Sequence, residues 1–161
     1  SQEYVNAIST MDWKEVIRSV EASRNLLESL WNMDEDAVAR GIERAHQEIS
    51  ALEYNDENSL SCTISLAFYF AREYYTVIRE LPTGKGFADI CFIPRKMYAD
   101  KPAVVVELKW DKSARGALEQ IKDREYVEAL KEYKGNLLLA GINYDRKTKT
   151  HTCVIEKFQK V

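Results

Sequence analysis

Apolar residues recur every three or four positions through Trp13, Val16, Ile17, Val20, Leu27, Leu30 and Trp31, which predicts an amphipathic helix with Ser9 and Thr10 available as caps. A second stripe, Val38, Gly41, Ile42, Ala45, Ile49 and Leu52, follows Asp34 as its cap, so the two helices make a hairpin. From Asn55 the texture changes. Asn55 or Asp56 can cap a third helix that is apolar on almost every side from Leu60 to Tyr74, with Ile64, Leu66, Phe68, Tyr69 and Phe70 on several faces, and such a helix must be buried. Tyr75 to Leu81 reads as a strand, Pro82 to Gly86 as a five-residue turn with two glycines, and Phe87 to Ile93 as the second strand of a hairpin. A polar loop bracketed by Pro94 and Pro102 leads into Ala103, Val104, Val105 and Val106, a run short and apolar enough for a strand buried on both faces, which continues through Glu107, Leu108, Lys109 and Trp110. Ser113 can cap the next helix, whose apolar positions Ala117, Leu118, Ile121, Val127, Ala129, Leu130 and Tyr133 continue to a stop at Lys134-Gly135. Leu137 to Tyr144 is another buried strand, entered by a crossover and therefore parallel to the Glu107 strand, and His151 to Phe158 alternates in the manner of an edge strand.

Length and composition narrow this to one globular α/β unit, because 161 residues that are 45% apolar can bury a proper core. Residues 1–53 are expected to be a helical N-terminal extension packing on a core formed by residues 54–161. No apolar run approaches the length of a membrane helix and no signal-peptide pattern opens the chain, so a cytoplasmic protein without membrane contact is expected. Cys62, Cys91 and Cys153 are odd in number and far apart, each within an apolar pattern, as reduced core residues are. A start at Ser1 without an initiator methionine leads to the expectation of a further domain upstream. Charge is unevenly divided: residues 1–60 carry 5 Lys or Arg against 13 Asp or Glu, whereas residues 61–161 carry 18 against 13, which makes the second part the better partner for a polyanion. The excess is small beside the footprint of a dedicated nucleic-acid binder, and no aromatic-basic alternation suited to base stacking runs along the chain.

The candidate chemistry lies in the charges that interrupt apolar strands. Side chains alternate across a strand, so Glu107 and Lys109 share a face with Val105, while Val104, Val106 and Leu108 point the other way. A carboxylate and an ammonium at the end of a buried strand need compensation, which makes them either a structural ion pair or part of a site. Asp89 is a second anomaly, sharing a strand face with Phe87, Cys91 and Ile93, and a hairpin brings it beside Glu107. Glu57 projects from the first turn of the third helix, in line with Ser61, Ile64 and Phe68, where the helix dipole alone would also favour it. Gln120 and Arg124, four apart, point the same way from the helix after the Glu107 strand, whose outer face carries Lys112, Arg115, Lys122 and Lys131. Glu80 has an easy surface explanation at the end of its strand, His46 is read as a packing or surface residue, and His151 as a surface residue near a turn.

The order helix-strand-strand-strand-helix-strand, with Asp in the second strand and Glu-x-Lys in the third, resembles the PD-(D/E)XK nuclease superfamily. More closely, the segments Glu57-Asn-Ser-Leu60, Gly84-Lys-Gly-Phe-Ala-Asp89, Val106-Glu-Leu-Lys-Trp110 and Glu119-Gln-Ile121 with Tyr126 resemble the nuclease-like domain at the C-terminal end of bacterial AAA-ATPase-like proteins, over most of residues 37–158. Ala88 stands where the usual motif has Pro. The resemblance implies a restriction-endonuclease-like mixed β-sheet core with an N-terminal helical hairpin, and a Mg2+ (or Mn2+) ion held by Asp89, Glu107, the Leu108 carbonyl and Glu57. Asp89, Glu107 and Lys109, with Gln120 on the following helix, are expected to serve catalysis, and the cations Lys85, Lys112, Arg115 and Arg124 nucleic-acid contact. The resemblance also implies an ATPase-like domain N-terminal to this one. Two functions stay open: a metal-dependent nuclease, or a nuclease-fold module that no longer cuts and mediates nucleic-acid or protein interaction.

Overall fold

The computed structural model describes residues 13–48, 63–83, 86–123, 130 and 137–158. Among the described residues two helices come first, α1 (Trp13–Trp31) and α2 (Glu35–Glu48). Asp34 starts the second as expected, its carboxylate accepting the Ala37 N–H at 3.1 Å and its carbonyl the Val38 N–H. Leu26, Leu27 and Leu30 of α1 and Val38 and Ile42 of α2 are buried together. The helices approach closely at Gly41, where a Cβ would come within 2.7 Å of the Leu26 side chain. Of the described side chains in the stripe expected along α1, Leu27 and Leu30 are buried whereas Ile17 is 42% exposed. The reason is that α1 meets its neighbours through its C-terminal half: Gly41 at Leu26, Phe70 at Ser23 and Tyr75 at Trp31.

The third helix departs from the expected single α-helix to Tyr74. Residues 63–67 are α-helical, but the chain tightens to a 3-10 helix over Tyr69–Glu73. Its i→i+3 bonds run from Ala71 N–H to Phe68 and from Tyr74 N–H to Ala71. The buried Ser23 hydroxyl accepts the Phe70 N–H at 2.7 Å, a bond that an uninterrupted α-helix would have directed four residues back. Burial is also less complete than expected, since Tyr69 is 45% exposed.

Five strands form one sheet in the order β1 (Tyr75–Thr83), β2 (Gly86–Pro94), β3 (Ala103–Trp110), β4 (Leu137–Asp145) and β5 (Thr150–Lys157). Among the described residues only β3 and β4 pair in parallel, as the crossover between them requires. The first hairpin is tighter than the five-residue turn expected, because Pro82 pairs with Phe87 and Thr83 with Gly86, leaving only residues 84 and 85 between the strands. A proline is tolerated there because β1 is an edge strand. A short 3-10 helix, Lys96–Tyr98, lies in the loop before β3. That loop is fastened by the buried Tyr75, whose hydroxyl donates to the Pro102 carbonyl at 2.6 Å and accepts the Trp31 indole N–H at 2.7 Å.

The two faces of the sheet carry two cores. Val104, Val106 and Leu108 join Ile90, Phe92, Leu138, Ala140, Ile142 and Ile155 beneath α1 and α2. Ala103, Val105, Cys91, Leu137 and Leu139 pack with Leu118 and Ile121 of a helix on the other face, α3 (Ala114–Asp123). Ser113 caps α3 as expected, accepting the Gly116 N–H at 2.9 Å. Leu130, expected within the same helix, is buried in a turn instead. This mixed sheet with helices on both faces is the restriction-endonuclease-like architecture anticipated from the order of elements.

The outer edge of β5 is covered rather than open. Glu35 accepts the Ile155 N–H at 2.7 Å and Glu43 the His151 N–H at 2.8 Å. The spacing explains the fit, because eight helical residues advance about 12 Å and four strand residues about 13 Å. The same contact overturns the expected surface position of His151, whose side chain is 1% exposed. β5 alternates as expected, but its inward face lies under α2, so His151 packs against Tyr144 and His46 with ring centroids 5.0 and 6.0 Å away. Burial, with the neighbouring His46 second, pushes its pKa down to about 4. His46 itself is half-buried and its pKa is lowered by burial. Cys91 and Cys153 are buried free thiols, each pushed up to about 12 first of all by burial.

Candidate active site

β2 and β3 pair regularly from Phe92 opposite Val104 to Ile90 opposite Val106. At the next step a side-chain bond takes over: the Asp89 carboxylate accepts the Leu108 backbone N–H at 2.7 Å. A strand residue directs its N–H and C=O to the same side, so the Leu108 carbonyl also faces Asp89 rather than β4. Past this point β3 remains paired with β4, with Glu107 opposite Gly141 and Lys109 opposite Asn143. The sheet therefore carries Asp89 and the Glu107-Leu108-Lys109 triplet where one of its ladders ends, which is how an apolar strand accommodates charge.

Asp89 and Glu107 lie on the face of the sheet that α3 covers, one step along from the opposed pair Cys91 and Val105. Glu107 is 2% exposed, whereas Lys109 is half-buried. Both carboxylates are close enough to Cys91 to add to the upward shift that burial gives its thiol, so this sulfur is a packed, protonated group rather than a nucleophile.

The approach of α3 depends on Gly141. A Cβ there would lie 2.3 Å from the Ala114 carbonyl oxygen and 2.8 Å from the Leu118 nitrogen, so the first turns of the helix rest directly on the β4 backbone beside Glu107. Gln120, on this helix, is half-buried. The turn that joins β3 to α3 is held by β4. Asn143, 4% exposed, accepts the Lys112 N–H at 2.9 Å, and Asp111, in the left-handed region at φ 52°, donates its N–H to the Tyr144 carbonyl. The Asp111 carboxylate in turn accepts the Arg146 N–H at 2.7 Å.

Of the cationic positions, Lys112 is exposed at the mouth of this turn. Arg115 is bound to Glu156 of β5 at 2.8 Å, and Lys122 reaches the same carboxylate at 2.7 Å, which holds Glu156 below its usual carboxyl range. Part of the positive charge on α3 thus serves a surface contact with β5. Glu57, Lys85 and Arg124 lie outside the described residues, as do Cys62 and Tyr126, and the side chain of Glu80 is not described.

Two carboxylates on adjacent strands and a backbone carbonyl turned toward them form an all-oxygen donor set, which fits a hard divalent cation. Among the described residues no three His, Cys, Asp or Glu side chains gather into a metal-holding group. Mg2+ is commonly held by one or two carboxylates while it keeps several waters, so the two fit its habits. Reading the sequence for charge overlooked Gly141 and Asn143. A glycine inside a strand and a polar amide inside an apolar run, which needs a partner as Asp89 does, were the available signals.

Among the described residues no helix is long and apolar enough to cross a membrane. A search of curated proteins found no match. A family model described as the PD-(D/E)XK nuclease superfamily matches residues 55–153, which include Asp89, the Glu-x-Lys triplet, Gln120 and the β4 strand. With more than half its length so matched and the expected sheet in place, the chain belongs to the PD-(D/E)XK nuclease superfamily.

Proposed function

We propose that this domain is a Mg2+- or Mn2+-dependent nuclease that hydrolyses phosphodiester bonds, with Asp89, Glu107 and Lys109 at its centre. The observation that carries the reading is the bond from Leu108 N–H to the Asp89 carboxylate, which locks the aspartate against the Glu-x-Lys triplet on the covered face of the sheet. Asp89, Glu107 and the Leu108 carbonyl hold the cation in this reading, with Glu57 as a further acidic contributor. When bound, the ion supplies an acidified water and neutralises charge developing on the phosphate. Lys109 orients the attacking water and offsets negative charge on the phosphoryl oxygens. Gln120 positions that water or a backbone phosphate. Lys85, Lys112, Arg115 and Arg124 guide the nucleic acid, Arg115 by exchanging Glu156 for a phosphate. Residues 1–53 serve as a helical extension on the nuclease core of 54–161, and the domain works beside an ATPase-like domain, an assignment supported by the sequence resemblance.

The test is isothermal titration of Mn2+ into the wild type and Glu107→Gln, with nicking assays on supercoiled plasmid, single-stranded DNA and RNA. The wild type binds the ion and cuts; Glu107→Gln loses ion binding and at least about a hundredfold in cleavage, the scale on which one electrostatic group at a reacting centre is read. A wild type that neither binds nor cuts would transfer the protein to the other reading, an inactive nuclease-fold interaction module.

A further inference from the structure

Asn143 stands out because no apolar packing need explains it. It is a 4% exposed amide near the C-terminal end of β4, directly opposite Lys109 in the parallel ladder, so the two side chains emerge on the same face of strands about 5 Å apart. Its Oδ1 accepts the Lys112 N–H at 2.9 Å, a contact between a β4 side chain and the backbone just beyond β3. The chain between Lys109 and α3 is only Trp110 to Ser113, and it turns through a left-handed Asp111 before Ser113 caps the helix. Whatever fixes Lys112 therefore fixes two things at once, the end of the strand that carries Lys109 and the first turn of the helix that carries Gln120.

We propose that Asn143 is a positioning residue of this site, its side-chain oxygen clamping the β3-to-α3 turn so that Lys109 and α3 are held in register over Asp89 and Glu107. The assignment rests on the nuclease reading. It follows from the economy of the turn: the Asp111 N–H is tied to Tyr144 and the Lys112 N–H to Asn143, so two consecutive amides are anchored to consecutive residues of β4. Gly141, two residues earlier on the same strand, admits the helix whose start this clamp sets. Loss of the Asn143 acceptor frees Lys112 and lets the turn drift on the scale at which positioning fails; a misplacement of about 1 Å costs about a hundredfold in rate.

The test compares Asn143→Leu, which keeps the branched side-chain shape and removes the acceptor, with Asn143→Asp, which puts a carboxylate oxygen where the amide oxygen was. Cleavage kinetics with Mn2+ are measured beside amide hydrogen exchange over residues 110–118. Asn143→Leu is expected to lose about a hundredfold in kcat with KM within a few-fold of wild type, and to exchange faster across this segment, while Asn143→Asp recovers most of both. Equal activity in wild type and Asn143→Leu would overturn the assignment, and so would Asn143→Asp as impaired as Asn143→Leu, or a change confined to KM. If Asn143→Leu unfolds, the comparison of Asn143→Asp with wild type still decides: exchange close to that of wild type with retained kcat supports the clamp, and a lost kcat with native exchange overturns it. A wild type that cuts nothing overturns the nuclease reading itself and with it this role, an outcome distinct from an active wild type beside an equally active variant.

Discussion

Acidification should destabilise this fold through His151 before it protonates most carboxylates. The imidazole is buried between α2 and β4, near Tyr144 and His46, and burial, then His46, hold its pKa at about 4 against 6.5 in the unfolded chain. Between these values the unfolded state binds the extra proton, so stability is complete above pH 6.5 and is lost as pH falls toward 4. Linkage over that window gives a loss of about 2 kcal/mol between pH 7.5 and pH 5.0, with His46 acting in the same direction. The Glu43 carboxylate, 3.8 Å from Nδ1, favours the charged ring and makes this figure an upper value. Urea unfolding of wild type and His151→Gln at both pH values reads the effect. The wild type should lose about 2 kcal/mol and the variant clearly less. Equal losses in the two proteins would refute the claim that a buried neutral histidine carries this pH dependence.

Gly141→Ala should destabilise by about 1–3 kcal/mol, because its Cβ meets backbone atoms of α3 rather than a movable side chain, and thermal melting should show a fall of several degrees. Its cleavage should fall with it, since the helix displaced is the one that covers Glu107. Glu35→Ala with Glu43→Ala removes both charged acceptors from the β5 edge; each bond contributes about 1.5–3 kcal/mol, and light scattering should then detect self-association that the wild type does not show.

Much of the candidate site was legible because burying charge is expensive. Asp89, Glu107 and Lys109 interrupt strands that are otherwise apolar; alternation put Glu107 with Lys109 and Asp89 with Cys91, and the hairpin between the two strands brought Asp89 beside Glu107. Periodicity anticipated the helical hairpin, the glycine-containing turn the β1–β2 hairpin, and the crossover the parallel pairing of β3 with β4. Local pattern could not reveal where one element's backbone meets another's. The third helix becomes 3-10 because Ser23, 47 positions away, takes the Phe70 N–H. His151 looked like a turn-side surface residue because nothing near it in sequence announces α2, 108 positions from its Glu43 partner.

The sequence by itself determined which residues carry charge into the core and on which side of each strand they emerge, because both follow from a two-residue period and the cost of desolvation. Only the tertiary structure decided how those charges are held. The Asp89 bond to Leu108, the rest of α3 on Gly141 and the Asn143 clamp on Lys112 each join a side chain or helix to a backbone group far along the chain. Local claims such as the Asp34 and Ser113 caps follow from sequence, but backbone groups are alike at every residue, so which distant one a side chain will claim is selected only by the packed fold.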